Sequence, residues 1–273
     1  MPSVPETLRS FVAVIVTGGS SGLGKAYLEH AAKENPAARF CNLSRRKPDI
    51  NLGQLNLRHI SCDLEKSAEV SRAADDLLAW LTTEVPPGRV LLINNSGFGS
   101  YGKFPAPSLD HQLAMVDLNV RAVVQLTGLL LPALQARGGA IINVASTAAF
   151  QPTTYMATYG ATKAFVLHWS LALNEELRGS GLRALAVCPG PTATNFFQRA
   201  GMKAGTVPDS FGMTCDEVVA QSWRALAAGR AQVVAGWKNW AMTAFTSKIP
   251  KPLAARGSAI VLKKFRLKVA GQS

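Results

Sequence analysis

Two side chains that could exchange a proton with a substrate, Tyr159 and Lys163, lie four residues apart in the segment 157–164. On a helix, residues at this spacing share a face, so the phenol and the ammonium group would be neighbours. A free phenol has a pKa of about 10. A nearby cation favours the phenolate, so Lys163 is expected to lower the pKa of Tyr159 towards neutrality. A Tyr and a Lys also occur at this spacing on ordinary helices, so the interpretation depends on the surrounding elements.

A glycine-rich segment near the N-terminus, Thr17-Gly-Gly-Ser-Ser-Gly-Leu-Gly24, directly follows the apolar run 11–16. The run consists largely of β-branched residues and predicts a strand buried on both faces. Gly18, Gly22 and Gly24 allow a tight turn, close approach of a pyrophosphate to the backbone, and close packing of the helix that follows. The N-terminus of that helix offers N–H groups to phosphates. The segment therefore predicts a dinucleotide site.

Strands and helices alternate along the chain as far as residue 235. This alternation predicts an α/β fold of Rossmann type: a doubly wound, seven-stranded parallel sheet with helices on both faces and ligands beyond the carboxyl ends of its strands. Residues 1–273 are expected to form a single domain, with a basic C-terminal extension over about 237–273. The predicted strands are 11–16, 39–44, 57–61, 90–94, 140–144, 182–187 and 231–235. The predicted helices are 25–35, 65–83, 108–135, one after Pro152 capped by Thr153 or Thr154, and 216–228.

The composition, with 48% hydrophobic and 17% charged residues, is typical of a soluble globular chain with a sizeable core. The four cysteines include no Cys-x-x-Cys pair, and the four histidines show no ligand-like spacing, so no metal is expected. The N-terminus does not resemble a signal peptide, and no uninterrupted apolar stretch reaches the roughly 18 residues of a membrane span. A cytoplasmic location is expected, with peripheral attachment to a membrane as an alternative.

Five further motifs follow the predicted elements in order. They are Asp63 after the third strand, Asn94-Asn-Ser-Gly97 after the fourth, Asn119 within Asp117-Leu-Asn-Val120, Ser146 thirteen residues before Tyr159, and Pro189-Gly190 with Thr194 after the sixth strand. Together with the glycine segment and the Tyr159–Lys163 pair, they resemble the motifs of the classical short-chain dehydrogenases/reductases. The resemblance covers nearly all of residues 8–235. The chain departs from the family pattern at Ser96, where Ala is usual, and at Ala145, which replaces a frequent serine.

The resemblance implies an enzyme that interconverts a carbonyl and an alcohol by hydride transfer to or from a nicotinamide cofactor. Tyr159 would donate or remove the proton, and Ser146 would donate a hydrogen bond to the same substrate oxygen. Lys163 would also hold the nicotinamide ribose, and Asn119 would hold a water that links Lys163 to solvent. Tyr155 lacks a Lys four residues on and is interpreted as pocket wall. The implied cofactor contacts are Gly18, Ser20, Ser21, Gly22, Leu23, Gly24, Ser44, Arg45, Arg46, Asp63, Leu64, Asn95, Gly97, Tyr159, Lys163, Pro189, Gly190, Thr192 and Thr194.

The end of the second strand favours NADP(H) over NAD(H). NAD-preferring relatives usually have an Asp where this chain has Ser44, and Arg45 and Arg46 follow. A 2′-phosphate would meet no carboxylate there and could pair with a guanidinium in forked geometry. Alternatively, the two arginines simply end a strand. Many NADP-preferring relatives carry a basic residue where this chain has Ser21.

The substrate side of the predicted site is apolar. The segment of about 191–215 occupies the position of a substrate lid in relatives. A hydrophobic ketone, aldehyde or alcohol is the expected substrate. Four residues are candidates for the pocket, and they could equally belong to the core: Phe98, Phe150, Met156 and Phe196.

The positive charge of the chain is concentrated at its C-terminus. Residues 218–273 contain ten Lys and Arg and no Asp or Glu, whereas residues 1–217 contain 19 basic and 17 acidic residues. Because the main body is nearly neutral, nucleic acid is not expected as a partner. The extension combines cations with Trp237, Trp240 and Phe245. This composition suits a helix on an anionic membrane surface, a contact with an acidic carrier, or a helix packed on the body by its apolar residues.

Two classes of function fit these residues. The first is an NADP(H)-dependent oxidoreductase acting on a small-molecule carbonyl or alcohol. The second is a non-catalytic dinucleotide-sensing protein on the same fold, which would have no need of Ser146, Tyr159 and Lys163. The resemblance also implies a homodimer or homotetramer.

Overall fold

Seven strands form one parallel sheet in the computed structural model, which describes residues 2–50, 55–194, 196, 200–201 and 212–263. The strands are β1 (Phe11–Thr17), β2 (Arg39–Ser44), β3 (Leu57–Ser61), β4 (Arg89–Asn94), β5 (Gly139–Val144), β6 (Leu182–Cys188) and β7 (Gln232–Val234). Their order in the sheet is β3-β2-β1-β4-β5-β6-β7. The helices are α1 (Val4–Arg9), α2 (Gly22–Glu34), α3 (Ser67–Thr83), α4 (Leu109–Val116), α5 (Ala122–Arg137), α6 (Ala157–Glu176), α7 (Cys215–Ala227), α8 (Trp237–Thr246) and α9 (Lys251–Lys263). The predicted Rossmann-type fold is confirmed.

Two apolar layers attach the helices to the sheet. On one face, the core includes Leu77 of α3, Leu126 of α5 and Leu173 of α6. On the other face, it includes Leu28 of α2 and Val218 of α7. Because both faces are covered, the central strands are continuous apolar runs with no polar alternation.

The strand order reverses beside β1, which lies between β2 and β4. Val16 of β1 pairs with Ile93 of β4, so the segments after these two strands leave the sheet at the same level. Ligands of open α/β sheets bind in the crevice at such a reversal. The fold thus brings the glycine segment next to Asn95.

The start of α6 differs from the prediction. Neither Thr153 nor Thr154 caps this helix; Met156 precedes it and makes no capping side-chain hydrogen bond. Tyr155 adopts a left-handed φ of 67°, a conformation that is uncommon for a residue with a side chain. The chain therefore turns sharply just before the helix, and helical geometry begins only at Ala157.

The predicted helix 108–135 contains a widened turn. A π turn, Asp117–Arg121, separates α4 from α5. Among the described residues, the continuous stretch Leu109–Arg137 has the length and composition to cross a membrane. Its buried residues Leu126 and Leu130 pack in the core of this α/β fold, which accounts for much of its apolar character.

The described part of the C-terminal extension consists of two helices, α8 and α9. Asn239 of α8 is buried, and a Cβ atom on Gly190 would collide with its amide group. Ser258 of α9 accepts a hydrogen bond from the backbone N–H of Thr154 at 3.1 Å. The phenol of Tyr101 donates to the carbonyl of Leu262 at 2.5 Å. These polar contacts attach the extension to the body, and the apolar Ala254 of α9 is buried as well.

Candidate active site

The four predicted catalytic side chains come from three parts of the fold. Tyr159 and Lys163 lie in the first two turns of α6, Ser146 follows β5, and Asn119 lies in the π turn. The side chain of Ser146 lies close enough to Tyr159 to lower the pKa of the phenol. The site therefore places two hydroxyl groups side by side at the carboxyl end of β5.

Lys163 is buried beneath the phenol. Its Nζ donates to the backbone carbonyl of Val144 at 2.8 Å and lies 6.0 Å from the centroid of the Tyr159 ring. Burial lowers the pKa of Lys163 to about 8, because desolvation disfavours the ammonium form. The interaction with Cys188 acts in the opposite direction.

Tyr159 is surrounded by apolar side chains, among them Met115, Met156 and Phe196. Burial raises the pKa of Tyr159 to about 12, and the side chain of Ser146 opposes this shift. The expected lowering by Lys163 is therefore not found. The physical reason is that desolvation of the buried phenol dominates, while the Nζ of Lys163 donates to the Val144 carbonyl and lies 6.0 Å from the centroid of the Tyr159 ring.

Asn119 fixes the loop beside the catalytic groups. Its Nδ2 donates to the carbonyl of Phe98 at 2.9 Å, and its Oδ1 accepts from the N–H of Phe98 at 3.1 Å. Nδ2 also donates to Oγ1 of Thr162 at 3.1 Å. A Cβ atom on Gly97 would lie 2.9 Å from Asn119 Oδ1 and 3.4 Å from Lys163 Nζ, so both groups border the same small space. Thr162 was not predicted, because a hydroxyl one residue before Lys163 matches none of the motifs.

The glycine segment forms a cradle between β1 and α2. The N–H of Gly18 donates to the carbonyl of Leu43 at 2.8 Å, and a Cβ atom at Gly18 would lie 2.7 Å from Oγ of Ser96. Gly18 and Gly22 have left-handed φ values of 73° and 55°, which glycine adopts without strain. Ser21 precedes α2 but makes no capping side-chain hydrogen bond. The first N–H groups of α2 therefore remain suitable for an anionic group such as a pyrophosphate.

Asn42 of β2 supports this cradle and was missed in the sequence. Its Oδ1 accepts from the N–H of Gly19 at 2.7 Å, and its Nδ2 donates to Oγ of Ser44 at 2.9 Å. The available signal was a single amide in an otherwise mostly apolar strand. On the opposite side, Nδ2 of Asn95 donates to the carbonyl of Thr17 at 3.0 Å.

One cleft of about 990 Å³ connects the glycine cradle, the catalytic groups and the extension. Asn119 and Gly24 do not line this cleft. Gly24 has the packing role expected of it, since a Cβ there would collide with Nδ2 of Asn95 and the carbonyl of Gly18. The predicted cofactor residues that line the cleft are Gly18, Ser20, Ser21, Gly22, Leu23, Ser44, Arg45, Arg46, Asp63, Leu64, Asn95, Gly97, Tyr159, Lys163, Pro189, Gly190, Thr192 and Thr194.

Two arginines mark one end of the cleft. Arg45 and Arg46 are exposed and follow β2 directly. Arg45 lies 3.6 Å from the carboxylate of Glu65, measured from Nη1 to Oε1. An exposed pair of this kind is weak, so the guanidinium remains able to engage another anion.

The substrate end of the cleft contains three of the four predicted residues: Phe98, Met156 and Phe196. The ring centroid of Phe196 lies 5.2 Å from that of Tyr159. Thr194 packs over Gly22, since a Cβ atom on this glycine would lie 3.2 Å from the methyl group of the threonine. The predicted lid, 191–215, also includes residues 195, 197–199 and 202–211, which lie outside the described residues.

Phe150 and Tyr155 are not part of this cleft. Both line a second cavity of about 920 Å³. The 3-10 turn Thr147–Phe150 carries the Phe150 side chain to an apolar cluster that includes Leu167. The two cavities share Gln151, Thr153 and Met156 in their linings, so Phe150 and Tyr155 lie next to the cleft without lining it, and their predicted roles stay predictions.

The extension supplies a wall of the cleft that was not predicted. Met242 of α8 and Leu253 and Val261 of α9 line the cleft, together with Thr246 and Ile249. Nothing in the composition of the extension indicates which of its side chains meet the body. Among the described residues, no group of three or more His, Cys, Asp or Glu side chains could hold a metal ion.

Residues 12–204 match the family model of the short chain dehydrogenases. The chain belongs to this family, whose members are oxidoreductases that act on CH–OH and C=O groups with NAD(P). It is 31% identical over 186 residues to a very-long-chain 3-oxoacyl-CoA reductase of Mus musculus, an alignment that covers 66% of this chain and 59% of that protein. The chain thus matches less than two thirds of the length of its mouse relative.

Two solved structures have the same fold. A short-chain dehydrogenase from Sphingobium yanoikuyae in complex with NADPH superposes with a TM-score of 0.73 at 28% identity, covering 87% of this chain and 96% of that one. A short chain dehydrogenase from Burkholderia cenocepacia in complex with NADP superposes with a TM-score of 0.75 at 25% identity, covering 90% and 97%. The expected family membership is confirmed.

Proposed function

We propose that this protein catalyses the NADP(H)-dependent interconversion of a hydrophobic ketone or aldehyde and the corresponding alcohol, with Tyr159 as general acid and base. The observation that carries the proposal is the convergence of Ser146, Tyr159 and Lys163 in a cleft that also contains the glycine cradle. We further propose that residues 1–273 act as a single catalytic domain.

The protein residues manage one proton, while the bound cofactor supplies or accepts the hydride. In reduction, the Tyr159 hydroxyl gives its proton to the carbonyl oxygen, and Ser146 donates a hydrogen bond to the same oxygen. Lys163, which lines the same cleft, would hold the hydroxyl groups of the nicotinamide ribose. Asn119 keeps Phe98 in position through two backbone hydrogen bonds, and it would hold a water that links Lys163 to solvent, so that the proton can be replaced.

The cofactor proposed is NADP(H), with NAD(H) as the weaker alternative. Arg45 and Arg46 provide two guanidinium groups at the end of β2, where Ser44 presents no carboxylate. The solved relatives with NADPH and NADP agree with this assignment.

The substrate class is inferred from the lining of the cleft. Phe98, Met156 and Phe196 surround the space next to Tyr159, and the extension adds Met242 and Leu253. The name of the mouse relative, a very-long-chain 3-oxoacyl-CoA reductase, is compatible with a long apolar carbonyl compound.

The test is a panel of hydrophobic ketones and aldehydes with NADPH, followed at the absorbance of the reduced cofactor. Tyr159→Phe should lower kcat by about 10³-fold or more while leaving the Kd for NADPH nearly unchanged, because only the proton donor is removed. Tyr155→Phe is the matched control, since this phenol lies outside the cleft, and it should retain full turnover.

Full turnover of Tyr159→Phe would contradict the mechanism. Tight binding of NADPH by the wild-type protein without turnover of any carbonyl compound would instead favour the non-catalytic, dinucleotide-sensing function.

A further inference from the structure

Helix α8 has its polar side towards the protein and its apolar side towards solvent. Asn239 and Thr243 are 4% and 2% exposed, whereas Trp237, Trp240 and Phe245 are 76%, 62% and 68% exposed. At about 100° per residue, positions 237, 240 and 245 fall within an arc of about 140°, and the buried positions 239 and 243 lie close together outside that arc. A surface helix in water normally has the reverse arrangement, so the exposed side of α8 is suited to an apolar environment.

The charge around this exposed side restricts what that environment can be. The described part of the extension carries five cations, Lys238, Lys248, Lys251, Arg256 and Lys263, and no acidic residue. A second copy of the chain docked through the same surface would bring two cationic surfaces together. Exposed Trp and Phe beside Lys and Arg are instead the combination that lies in the interface of a bilayer with anionic lipids.

We propose that α8 and α9 dock this protein on the surface of an anionic lipid bilayer, with Trp237, Trp240 and Phe245 entering the interfacial region. The cations flank these rings and contact lipid phosphates. The attachment is peripheral, and it is a separate property from the reaction proposed above.

The active-site cleft reaches the same two helices. Met242, Leu253 and Val261 line the cleft and are still 39%, 55% and 56% exposed. They therefore form an apolar edge between the cleft and the docking surface. An apolar substrate dissolved in the bilayer would reach Tyr159 past this edge without crossing bulk water.

The experiment is co-sedimentation of the full-length protein with vesicles of phosphatidylcholine, alone or with about 30 mol% phosphatidylglycerol, at about 50 and 500 mM NaCl. Binding is expected for the anionic vesicles at low salt, with a clear loss at high salt and with neutral vesicles. The variant Trp237→Ser/Trp240→Ser/Phe245→Ser should bind about tenfold more weakly, because it loses the inserted rings while keeping the cations.

Two control variants separate this surface from general effects. Arg256→Gln/Lys263→Gln should weaken binding, whereas Lys33→Gln/Arg224→Gln removes two exposed cations from α2 and α7 and should leave it unchanged. Circular dichroism melting curves establish that each variant is folded. The vesicle assay needs no turnover, so its outcome is independent of the proposed reductase activity.

The proposal would be overturned if the wild-type protein did not bind anionic vesicles at low salt. It would also be overturned if the folded variant without the three aromatic rings bound as tightly as the wild type. The third contrary result would be an equal loss of vesicle binding in Arg256→Gln/Lys263→Gln and in Lys33→Gln/Arg224→Gln. Absence of vesicle binding together with salt-sensitive binding to an acidic acyl-carrier protein would assign the surface to an acidic protein partner instead.

Discussion

The Tyr159 side chain is largely buried among apolar residues, yet its hydroxyl must change its protonation state in each turnover of the proposed reaction. Burial keeps the proton on the phenol, with a pKa of about 12, and the adjacent Ser146 partly offsets this effect. Lys163 is buried as well and has a lowered pKa of about 8. At neutral pH the phenol therefore keeps its proton and Lys163 remains mostly charged, which suits Tyr159 as a proton donor more than as a proton acceptor.

This arrangement predicts different pH profiles for the two directions. Reduction needs the protonated phenol, which predominates well below its pKa of about 12, so kcat/KM should vary little from about pH 6 to 8. Oxidation needs the phenolate, whose fraction rises about tenfold per pH unit below the pKa, so kcat/KM should rise steeply over the same range.

Steady-state measurements of both directions between about pH 6 and 9 check this prediction. An oxidation rate that does not change from pH 6 to 8 would show that the proton acceptor has a much lower pKa than Tyr159 has in this structure.

A second prediction concerns Arg45 and Arg46 and the affinity for NADPH. Arg45→Ala/Arg46→Ala should raise the KM for NADPH by about 10- to 100-fold, the equivalent of a charge-assisted hydrogen bond of about 1.5–3 kcal/mol. The KM for NADH should change little, because NADH lacks the 2′-phosphate. Lys47→Ala is the control, since Lys47 is an exposed cation next to the pair but does not line the cleft. Equal losses with both cofactors would contradict a role in phosphate selection.

At the scale of the elements, the strands could be predicted more accurately than the helices. A continuous apolar run such as 11–16 identifies a buried strand directly, because burial on both faces removes all polar positions. The residue at which a helix begins depends on the backbone angles of single residues just before it. The left-handed Tyr155 moves the start of α6 to Ala157, and no side-chain type signals it.

The π turn illustrates a second limit of the sequence. Asn119 was predicted to act in catalysis, but the widened turn that holds its amide against Phe98 was not. One residue added to a helical turn leaves the apolar pattern on either side almost intact, so periodicity cannot reveal it. The motif residues were found because each is recognisable by type and order. Thr162 and Asn42 escaped because their roles exist only through contacts across the fold.

The extension is the element that sequence reasoning described least well. Its cations and aromatic residues were evident, but composition does not determine which side of a helix is buried. The polar side of α8 packs on the body because Asn239 finds partners there: its Nδ2 donates to the carbonyl of Ala235 at 2.8 Å. With α8 in this orientation, Trp237 and Trp240 are exposed to solvent.

At the scale of the whole molecule, a second exposed apolar surface covers α4, α5 and α6. It includes Leu113, Val124, Leu129 and Phe165, which are 54%, 37%, 41% and 42% exposed. Members of the family commonly form oligomers, and helices such as α6 were expected to pair. We propose that this surface, which is separate from α8, joins two copies of the chain.

The proposed pairing predicts that Val124→Glu/Phe165→Glu weakens self-association by at least about tenfold, because two charges would be buried against the same residues of the other copy. Sedimentation velocity over a range of concentrations measures this effect. Phe245→Glu on α8 is the matched control and should leave the oligomeric state unchanged. If Phe245→Glu dissociated the oligomer and Val124→Glu/Phe165→Glu did not, the interface would lie on the extension.

The collision that a side chain at Gly190 would cause with Asn239 has a consequence for the evolution of the chain. Gly190 borders the cleft, and Asn239 belongs to an extension beyond β7. A mutation at either site therefore changes which residues are acceptable at the other. In descendants that keep the extension, position 190 should remain glycine unless position 239 becomes smaller. In lineages that lose the extension, this particular constraint on position 190 should disappear, and only its place in the Pro-Gly motif beside the cleft would then favour glycine.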